Sequence, residues 1–144
     1  MLLTIDASTL VAELLRRRGQ YLFEDSGLEF YVPSRMWDET QYELKRRLEI
    51  MVSQGRVGGD VAREYFRKAV RVREERITEV PEPVYEHLEE EALRRIPRDP
   101  GDWQVVALAL LSGSDILTGD EDFFGCGVAV WTVETLIAHM EATK

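Results

Sequence analysis

Residues 2–15 read LLTIDASTLVAELL, and this stretch decides the fold because a short apolar run meets a helical pattern there at one aspartate. Residues 2–5 are apolar and suit a buried strand. The leucines and valine of residues 10–15 then recur at the spacing of one helix face. Three arginines and Gly19 follow, which is typical of a helix C-terminus. The sequence therefore predicts a strand and then a helix that ends near Gly19, with Asp6 between them.

The rest of the chain repeats this alternation. Short apolar runs predict further strands at residues 28–32, 77–81, 115–118 and 128–131. Helical patterns predict two helices between residues 34 and 76, and others at residues 83–96, 103–111 and 133–140. Alternating strands and helices predict an α/β fold, with a parallel sheet covered by helices on both faces. At 144 residues the chain suits one domain, which we take to span residues 1–144.

Composition narrows the classes of function. The net charge of −9 at pH 7 argues against a protein that coats nucleic acid, because phosphate neutralisation needs clustered lysine and arginine. It does not argue against a nuclease, since acidic residues gathered at one site bind a cation that reverses the local charge. Cys126 is the only cysteine, which excludes an internal disulfide and a cysteine-based zinc site and favours a reducing cytoplasm. His87 and His139 fall in helical patterns, and we expect both at the surface.

Four aspartates lie where a ligand site is expected. In an open parallel sheet, ligands bind beyond the carboxyl ends of the strands. Asp6 follows the first strand, and Asp102 begins the helix that leads into the fourth. Asp120 and Asp122 follow the fourth strand. Carboxylates on neighbouring strand ends repel one another unless a cation lies between them, and Mg²⁺ and Mn²⁺ prefer oxygen ligands. The sequence therefore predicts an oxygen-only metal site.

Each of these aspartates also has a simpler interpretation. Asp6 is a favoured N-cap residue and could only cap the first helix, although Ser8 could do so equally well. Asp102 follows Pro-Gly, at a position that also suits an N-cap. Asp120 and Asp122 lie in a polar segment that could be an exposed turn. No single residue is specific, and only their combination favours a metal site.

A further acidic ligand is expected from the helix after the second strand. Glu39 and Glu43 are one helical turn apart, so they share a face. Glu39 is nearer the start of the helix, whereas Glu43 lies closer to the apolar stripe. Spacing alone does not choose between them.

With these residues in place, the chain resembles the PIN-domain family, in particular its VapC-type and PilT N-terminus-like ribonucleases. Four blocks in order carry the resemblance: residues 5–8 (IDAS), 32–39 (VPSRMWDE), 97–103 (PRDPGDW) and 117–123 (LTGDEDF). The resemblance implies a three-layer α/β/α sandwich with a five-stranded parallel sheet. It also implies Mg²⁺- or Mn²⁺-dependent cleavage of RNA. Many small members are toxins held inactive by an antitoxin protein, and homodimers are expected.

The resemblance also assigns roles to individual residues. The family's catalytic and metal-binding acids fall on Asp6, Glu39, Asp102 and Asp120. Asp122 matches a frequent additional metal ligand. Supporting or alternative residues are Ser8, Glu43, Asp99 and Thr118.

The expected chemistry is phosphodiester hydrolysis with two cations about 4 Å apart. Asp6 would be the central ligand, with Asp102 and Glu39 on one side of it. Asp120 and Asp122 would complete the second cation site. The helical segment at residues 56–76 is longer and richer in arginine than in minimal toxins, which weakens the toxin assignment more than the nuclease assignment. The alternative is a weakly active or inactive PIN-like scaffold or RNA-binding module.

RNA that approaches an acidic cleft needs positive charge at the rim. The candidate cations are residues 16–18, residues 45–47, and Arg63, Arg67, Lys68, Arg71 and Arg73. For any one of them, an exposed helix face with intrahelical ion pairs is the simpler interpretation. Trp37 and Trp103 flank proposed ligands and could stack a base, but we expect core packing for both.

Overall fold

A computed structural model of the protein describes all of residues 1–144. The strands are β1 (Leu2–Ile5), β2 (Glu29–Pro33), β3 (Ile77–Val80), β4 (Asp115–Leu117) and β5 (Val130–Trp131). The α-helices are α1 (Ala7–Leu14), α2 (Arg17–Glu24), α3 (Ser34–Ser53), α4 (Gly59–Arg76), α5 (Glu82–Tyr85), α6 (Glu89–Arg95), α7 (Trp103–Ser112) and α8 (Val133–Ala142). Short 3-10 helices cover Glu86–Leu88, Pro100–Asp102 and Glu121–Phe123.

The five strands form one sheet in the order β3-β2-β1-β4-β5, and every neighbouring pair is parallel. Parallel pairing follows because each helical connection returns the chain to the same edge of the sheet. The chain order reverses at β1, which pairs with β2 on one side and with β4 on the other. The predicted α/β fold with a five-stranded parallel sheet is confirmed. The reversal at β1 marks the edge where a ligand site is expected.

Helices cover the sheet and bury its apolar strands. Helix α1 packs against α3 and α3 against α4, whereas α7 packs against α5 and α6. The strands are nearly continuous apolar runs because both of their faces are covered, and Leu3, Phe30 and Ile116 are buried in the core. Helix α7 is buried from Trp103 to Ala109, as its apolar sequence predicts. The carboxyl ends of β1 and β4 are therefore held by a rigid core.

The end of the first helix differs from the prediction. Helix α1 ends at Leu14, and α2 begins at Arg17, inside the basic run. Gly19 is not a C-cap but a residue within α2, where a Cβ atom would lie 1.9 Å from the carbonyl oxygen of Glu13. The prediction that the helix runs on to Gly19 is wrong because glycine is needed here for close backbone approach, not for a left-handed turn.

The helix predicted at residues 83–96 is divided into α5, the 3-10 helix Glu86–Leu88 and α6. Charge explains where α6 begins. Three glutamates, residues 89–91, occupy its first turn, and Arg94 and Arg95 occupy its last. Negative charge at the N-terminus and positive charge at the C-terminus both stabilise a helix through its dipole. A single long helix would place the three carboxylates in its middle, without that stabilisation.

The two histidines and the two tryptophans flanking proposed ligands lie where the sequence predicted them. His87 and His139 are exposed, and Cys126 is a buried free cysteine. Trp37 and Trp103 are both buried in the core. None of the helices combines the length and the apolar composition that crossing a bilayer requires.

Candidate metal centre

The candidate site lies at the carboxyl ends of β1 and β4, which are neighbours in the sheet. Asp6 directly follows β1, and Thr118 directly follows β4. The two strands pair in register, with Ile5 opposite Leu117. The residues after both strands therefore emerge side by side at the edge where the chain order reverses.

Asp6 both caps a helix and joins the end of β4. Its side chain is buried, with 4% of the residue exposed. One carboxylate oxygen, Oδ1, accepts from the backbone N–H of Thr9 at 3.2 Å, which caps α1. The other, Oδ2, accepts from the Thr118 hydroxyl at 2.8 Å and from the Ser8 hydroxyl at 3.4 Å. The capping interpretation is therefore correct as far as it goes, but half of the carboxylate faces the neighbouring strand end.

The loop after β4 is fixed onto the start of α1 by side-chain hydrogen bonds. The Thr118 hydroxyl accepts from the backbone N–H of Asp120 at 3.0 Å. The Thr9 hydroxyl accepts from the backbone N–H of Gly119 at 3.1 Å. Asp120 Oδ1 accepts from the backbone N–H of Asp122 at 2.9 Å. Ser8 and Thr118 thus contact Asp6, and Asp120 is held in one orientation, whereas the supporting roles of Ser8 and Thr118 stay predictions.

Three carboxylates meet beside this loop. Asp99, Asp102 and Asp120 each offer one oxygen atom, and these atoms all lie within 4.8 Å of one another. Asp99 precedes the 3-10 helix Pro100–Asp102, and the backbone N–H of Asp102 donates to the carbonyl of Asp99 at 3.1 Å. Asp102 stands at the N-cap position of α7, but its side chain makes no capping hydrogen bond. The capping interpretation of Asp102 is therefore wrong, and its carboxylate faces the cluster.

Burial and charge repulsion raise the pKa values of two aspartates at the site. The pKa of Asp102 is raised to about 7, chiefly by burial and also by a hydrogen bond shared with Asp99 and by the negative charges of Asp99, Asp6 and Asp120. Burial also raises the pKa of Asp6, although hydrogen bonds from Thr9 and Thr118 oppose the shift. Without a cation, one proton is thus retained in the cluster near neutral pH.

The donor set fits a hard divalent cation. Asp99, Asp102 and Asp120 are half-buried, and none of them forms an ion pair with lysine or arginine. Repulsion among these carboxylates is therefore uncompensated by the protein. Mg²⁺ and Mn²⁺ take a few carboxylate oxygens and keep several waters, which suits three partly exposed aspartates. No cysteine or histidine belongs to the cluster.

Asp6, expected to be the central ligand, and Glu39, Glu43 and Asp122 are not among the three carboxylates that meet. Glu39 lies exposed on α3 and lines a shallow cavity of about 530 Å³ together with Glu43. Glu43 also lies 3.5 Å from Arg46 in an ion pair. Asp122 is half-buried, and it is its backbone that contacts Asp120. Their roles as ligands stay predictions, as does the choice between Glu39 and Glu43.

Asp99 is more central than the sequence suggested, because it was only a supporting or alternative residue there. The signal that points to it is the Asp-Pro-Gly-Asp spacing of residues 99–102. A proline and a glycine between two aspartates predict a tight turn, and a tight turn brings residues three apart together. Spacing within the loop therefore indicates that Asp99 accompanies Asp102.

Comparisons with known proteins agree with this fold. A family model described as PIN domain matches residues 4–141. The solved structure of PAE2754 from Pyrobaculum aerophilum is similar over 99% of this chain and 90% of that chain, with a TM-score of 0.63 and 19% sequence identity. That of FitAcB from Neisseria gonorrhoeae is similar over 93% of this chain and 99% of that chain, with a TM-score of 0.55 and 18% identity. No curated protein matches the chain significantly.

Proposed function

Because this chain belongs to the PIN-domain family, whose members are typically nucleases, we propose that it is a metal-dependent endoribonuclease that hydrolyses RNA phosphodiester bonds. One observation carries the proposal. Three carboxylates without a protein cation lie together at the sheet edge where the strand order reverses. Like charges held close together destabilise the folded protein, so the proximity of these three carboxylates supports a ligand role over a purely structural one.

We propose that Asp99, Asp102 and Asp120 hold Mg²⁺ or Mn²⁺, with Asp6 behind them and Glu39 and Asp122 as further ligands. A cation bound there activates water at neutral pH and offsets charge on the phosphate. Asp6 fixes the loop after β4 through the Thr118 hydroxyl, which also holds the backbone of Asp120. Asp102 would release its proton when the cation binds, because its pKa is about 7 before binding.

Replacing Asp6 with asparagine tests the proposal. Asparagine keeps an oxygen that can accept from Thr9, so the cap of α1 is preserved while the charge is lost. We expect Mn²⁺-stimulated cleavage of a tRNA and rRNA panel to fall by about 10–100-fold, since even indirect metal partners contribute that much. Asp60→Asn, on the exposed first turn of α4, is the control and should cleave normally. An Asp6→Asn protein that cleaves at the wild-type rate would refute the assignment.

The affinity for Mn²⁺ should depend on pH. A cation must displace the proton that Asp102 retains, because a metal ligand has to be deprotonated. We expect the affinity to fall by about tenfold for each pH unit below 7, and calorimetry should detect about one released proton at pH 5.5 and only about a quarter of a proton at pH 7.5. A constant affinity over this range would contradict the pKa of Asp102. Absence of Mn²⁺ binding at millimolar concentrations would instead favour the inactive scaffold.

We propose an antitoxin protein as a further partner, with an acidic amphipathic segment that docks between α1, α2, α3 and α4. A cavity of about 680 Å³ lies there, lined by Arg17, Arg47, Arg56 and Lys68 and by no carboxylate. None of these cations forms an ion pair, although the chain carries −9 overall. Leucine, isoleucine and methionine side chains line the rest of the cavity, so the charge and the apolar surface both support this partner. Co-purification with the product of an adjacent small reading frame tests it.

The homodimer is likewise a proposal. Val52 and Val61 are exposed at the adjoining ends of α3 and α4, where apolar side chains on a charged surface support association with a second copy. The mass of the protein in solution, measured by light scattering across a dilution series, tests this association.

A further inference from the structure

A polar cavity lies next to the carboxylate cluster, and Asp120 belongs to both. It has a volume of about 390 Å³ and runs along α1, between that helix, the loop after β4 and the start of α8. Ser8, Gly119 and Asp120 line the end near the cluster, whereas Arg16 and Arg18 line the other end. From Ser8 to the end of α1 the helix rises by about 10 Å, or two turns. The cavity thus connects the proposed metal site to two guanidinium groups.

A buried glutamate holds both arginines at this cavity. Glu13 is only 1% exposed and receives Arg18 through three hydrogen bonds, two from Nε at 3.1 Å and one from Nη2 at 2.8 Å. The remaining nitrogen of Arg18, Nη1, donates to Glu134 at 2.8 Å. Every nitrogen of the Arg18 guanidinium therefore has a carboxylate partner. Its charge is balanced by Glu13 and Glu134, so Arg18 is a structural residue of the cavity wall.

Arg16 is in a different state. Only its Nη1 has a partner, Glu13 Oε1 at 3.3 Å, and that carboxylate is already bonded to Arg18. The side chain of Arg16 is 54% exposed, and its Nε and Nη2 donate to no protein atom. Among the cations that line this cavity, Arg16 therefore has unused donors and a charge that the buried glutamate does not fully balance. A guanidinium with free donors binds phosphate oxygens well, because its donors lie in a planar fork.

We propose that Arg16 is a positioning residue that binds a backbone phosphate of the RNA, within about three nucleotides of the scissile bond. The distance along α1 supports this spacing. The rise of about 10 Å corresponds to about three nucleotide steps of about 3.4 Å each in a helical strand. The inference rests on the proposed nuclease function and deepens it, because it selects one cation from the many arginines and lysines on the surface. Arg16 touches a phosphate that does not react, so it contributes to binding and register.

Kinetics on substrates of two lengths test this role. With a single-stranded RNA of about ten nucleotides, we expect Arg16→Ala to raise KM by about 5–10-fold with little change in kcat. The slope of log KM against log salt should fall by about 0.7, the value for one phosphate contact on a single strand. Arg16→Lys should recover most of the binding. With bis(p-nitrophenyl) phosphate, which cannot reach Arg16, all variants should react at the wild-type rate.

The control and a binding assay separate this inference from the nuclease proposal. Arg71, which was also a candidate rim cation in the sequence, lies exposed on α4 and outside this cavity, so Arg71→Ala removes the same charge and should change neither KM nor the salt slope. Binding of a 2′-O-methyl RNA of the same length, measured by fluorescence anisotropy in EDTA, needs no catalysis. A wild-type protein that binds but does not cleave, with binding weakened by Arg16→Ala, would support Arg16 and refute the nuclease. Equal binding and equal KM for Arg16→Ala and Arg71→Ala would refute Arg16 alone, and a wild-type protein that neither binds nor cleaves would refute both.

Discussion

Asp102→Asn should abolish metal-dependent RNA cleavage and, at the same time, stabilise the metal-free protein above pH 7. The loss of activity follows because asparagine removes the negative charge of a proposed ligand, and we expect a reduction of at least about a hundredfold. The gain in stability follows from the acidity of the site. Burial raises the pKa of Asp102 to about 7 in the folded protein, whereas the unfolded value is near 3.8.

The sign of the pH effect is fixed by these two values. Between about pH 4 and pH 7 the folded state binds more protons at Asp102 than the unfolded state, so the free energy of unfolding falls as pH rises. Above pH 7 the whole penalty is present. Asparagine has no such penalty, and we expect the variant to be more stable than wild type by about 1–2 kcal/mol at pH 8, after allowing for solvent screening of a half-exposed group.

Urea unfolding in EDTA at pH 4 and pH 8 measures this difference. The stabilities of wild type and Asp102→Asn should converge at pH 4 and separate at pH 8. Asp60→Asn removes an exposed carboxylate from the first turn of α4, where it pairs with Arg63, and should be no more stable than wild type at either pH. A variant that loses activity but is less stable than wild type at pH 8 would show that Asp102 is a structural residue rather than a strained ligand.

Gly19→Ala should destabilise the protein by about 3 kcal/mol or prevent folding. A Cβ atom at Gly19 would lie 1.9 Å from the carbonyl oxygen of Glu13 and 2.5 Å from its carbonyl carbon. Both atoms belong to the backbone, so α2 itself must move away from α1. Such overpacking costs about 1–3 kcal/mol and occasionally more. Movement of α2 would also disturb the hydrogen bonds between Glu13 and Arg18, because Arg18 lies in the first turn of α2 next to Gly19.

Gly59→Ala is the matched control because Gly59 also lies in a helix. The nearest atom to its Cβ position is the end of the flexible Arg63 side chain, at 3.5 Å. Alanine is a better helix former than glycine, so we expect unchanged or slightly raised stability there. The measurement is urea unfolding of both variants at pH 7. If Gly19→Ala were as stable as Gly59→Ala, the close approach of α2 to α1 would be wrong.

The candidate site shows how far local sequence patterns extend. Position after a strand was enough to select Asp6 and Asp120, because parallel strands end at a common edge and any residue that follows them must emerge there. The start of α7 was enough to select Asp102. Asp99 received only a supporting role because it neither follows a strand nor begins a long helix. The short turn at residues 99–102 brings it next to Asp102.

Helical spacing was less informative for the glutamates of α3. The pattern placed Glu39 and Glu43 on one face but did not choose between them, because residues four apart in a helix point in nearly the same direction. The structure places Glu39 in an exposed position and Glu43 beside Arg46, outside the group of three aspartates. Where a long helix points relative to the sheet depends on how it packs, which is a property of several elements at once.

Periodicity and composition by themselves determined the alternation of strands and helices, the buried character of α7 and the oxygen-only nature of the cluster. These are local properties, because an apolar run or an aspartate acts through its own chemistry. Only the tertiary structure decided that Gly19 is a point of close contact and that Asp99 and Asp102 meet Asp120. It also decided that Glu13 and Glu134 together engage every guanidinium nitrogen of Arg18, whereas Arg16 has one partnered nitrogen. Those outcomes depend on distances between atoms that are remote or differently oriented along the chain, and such distances exist only after the helices have packed against the sheet.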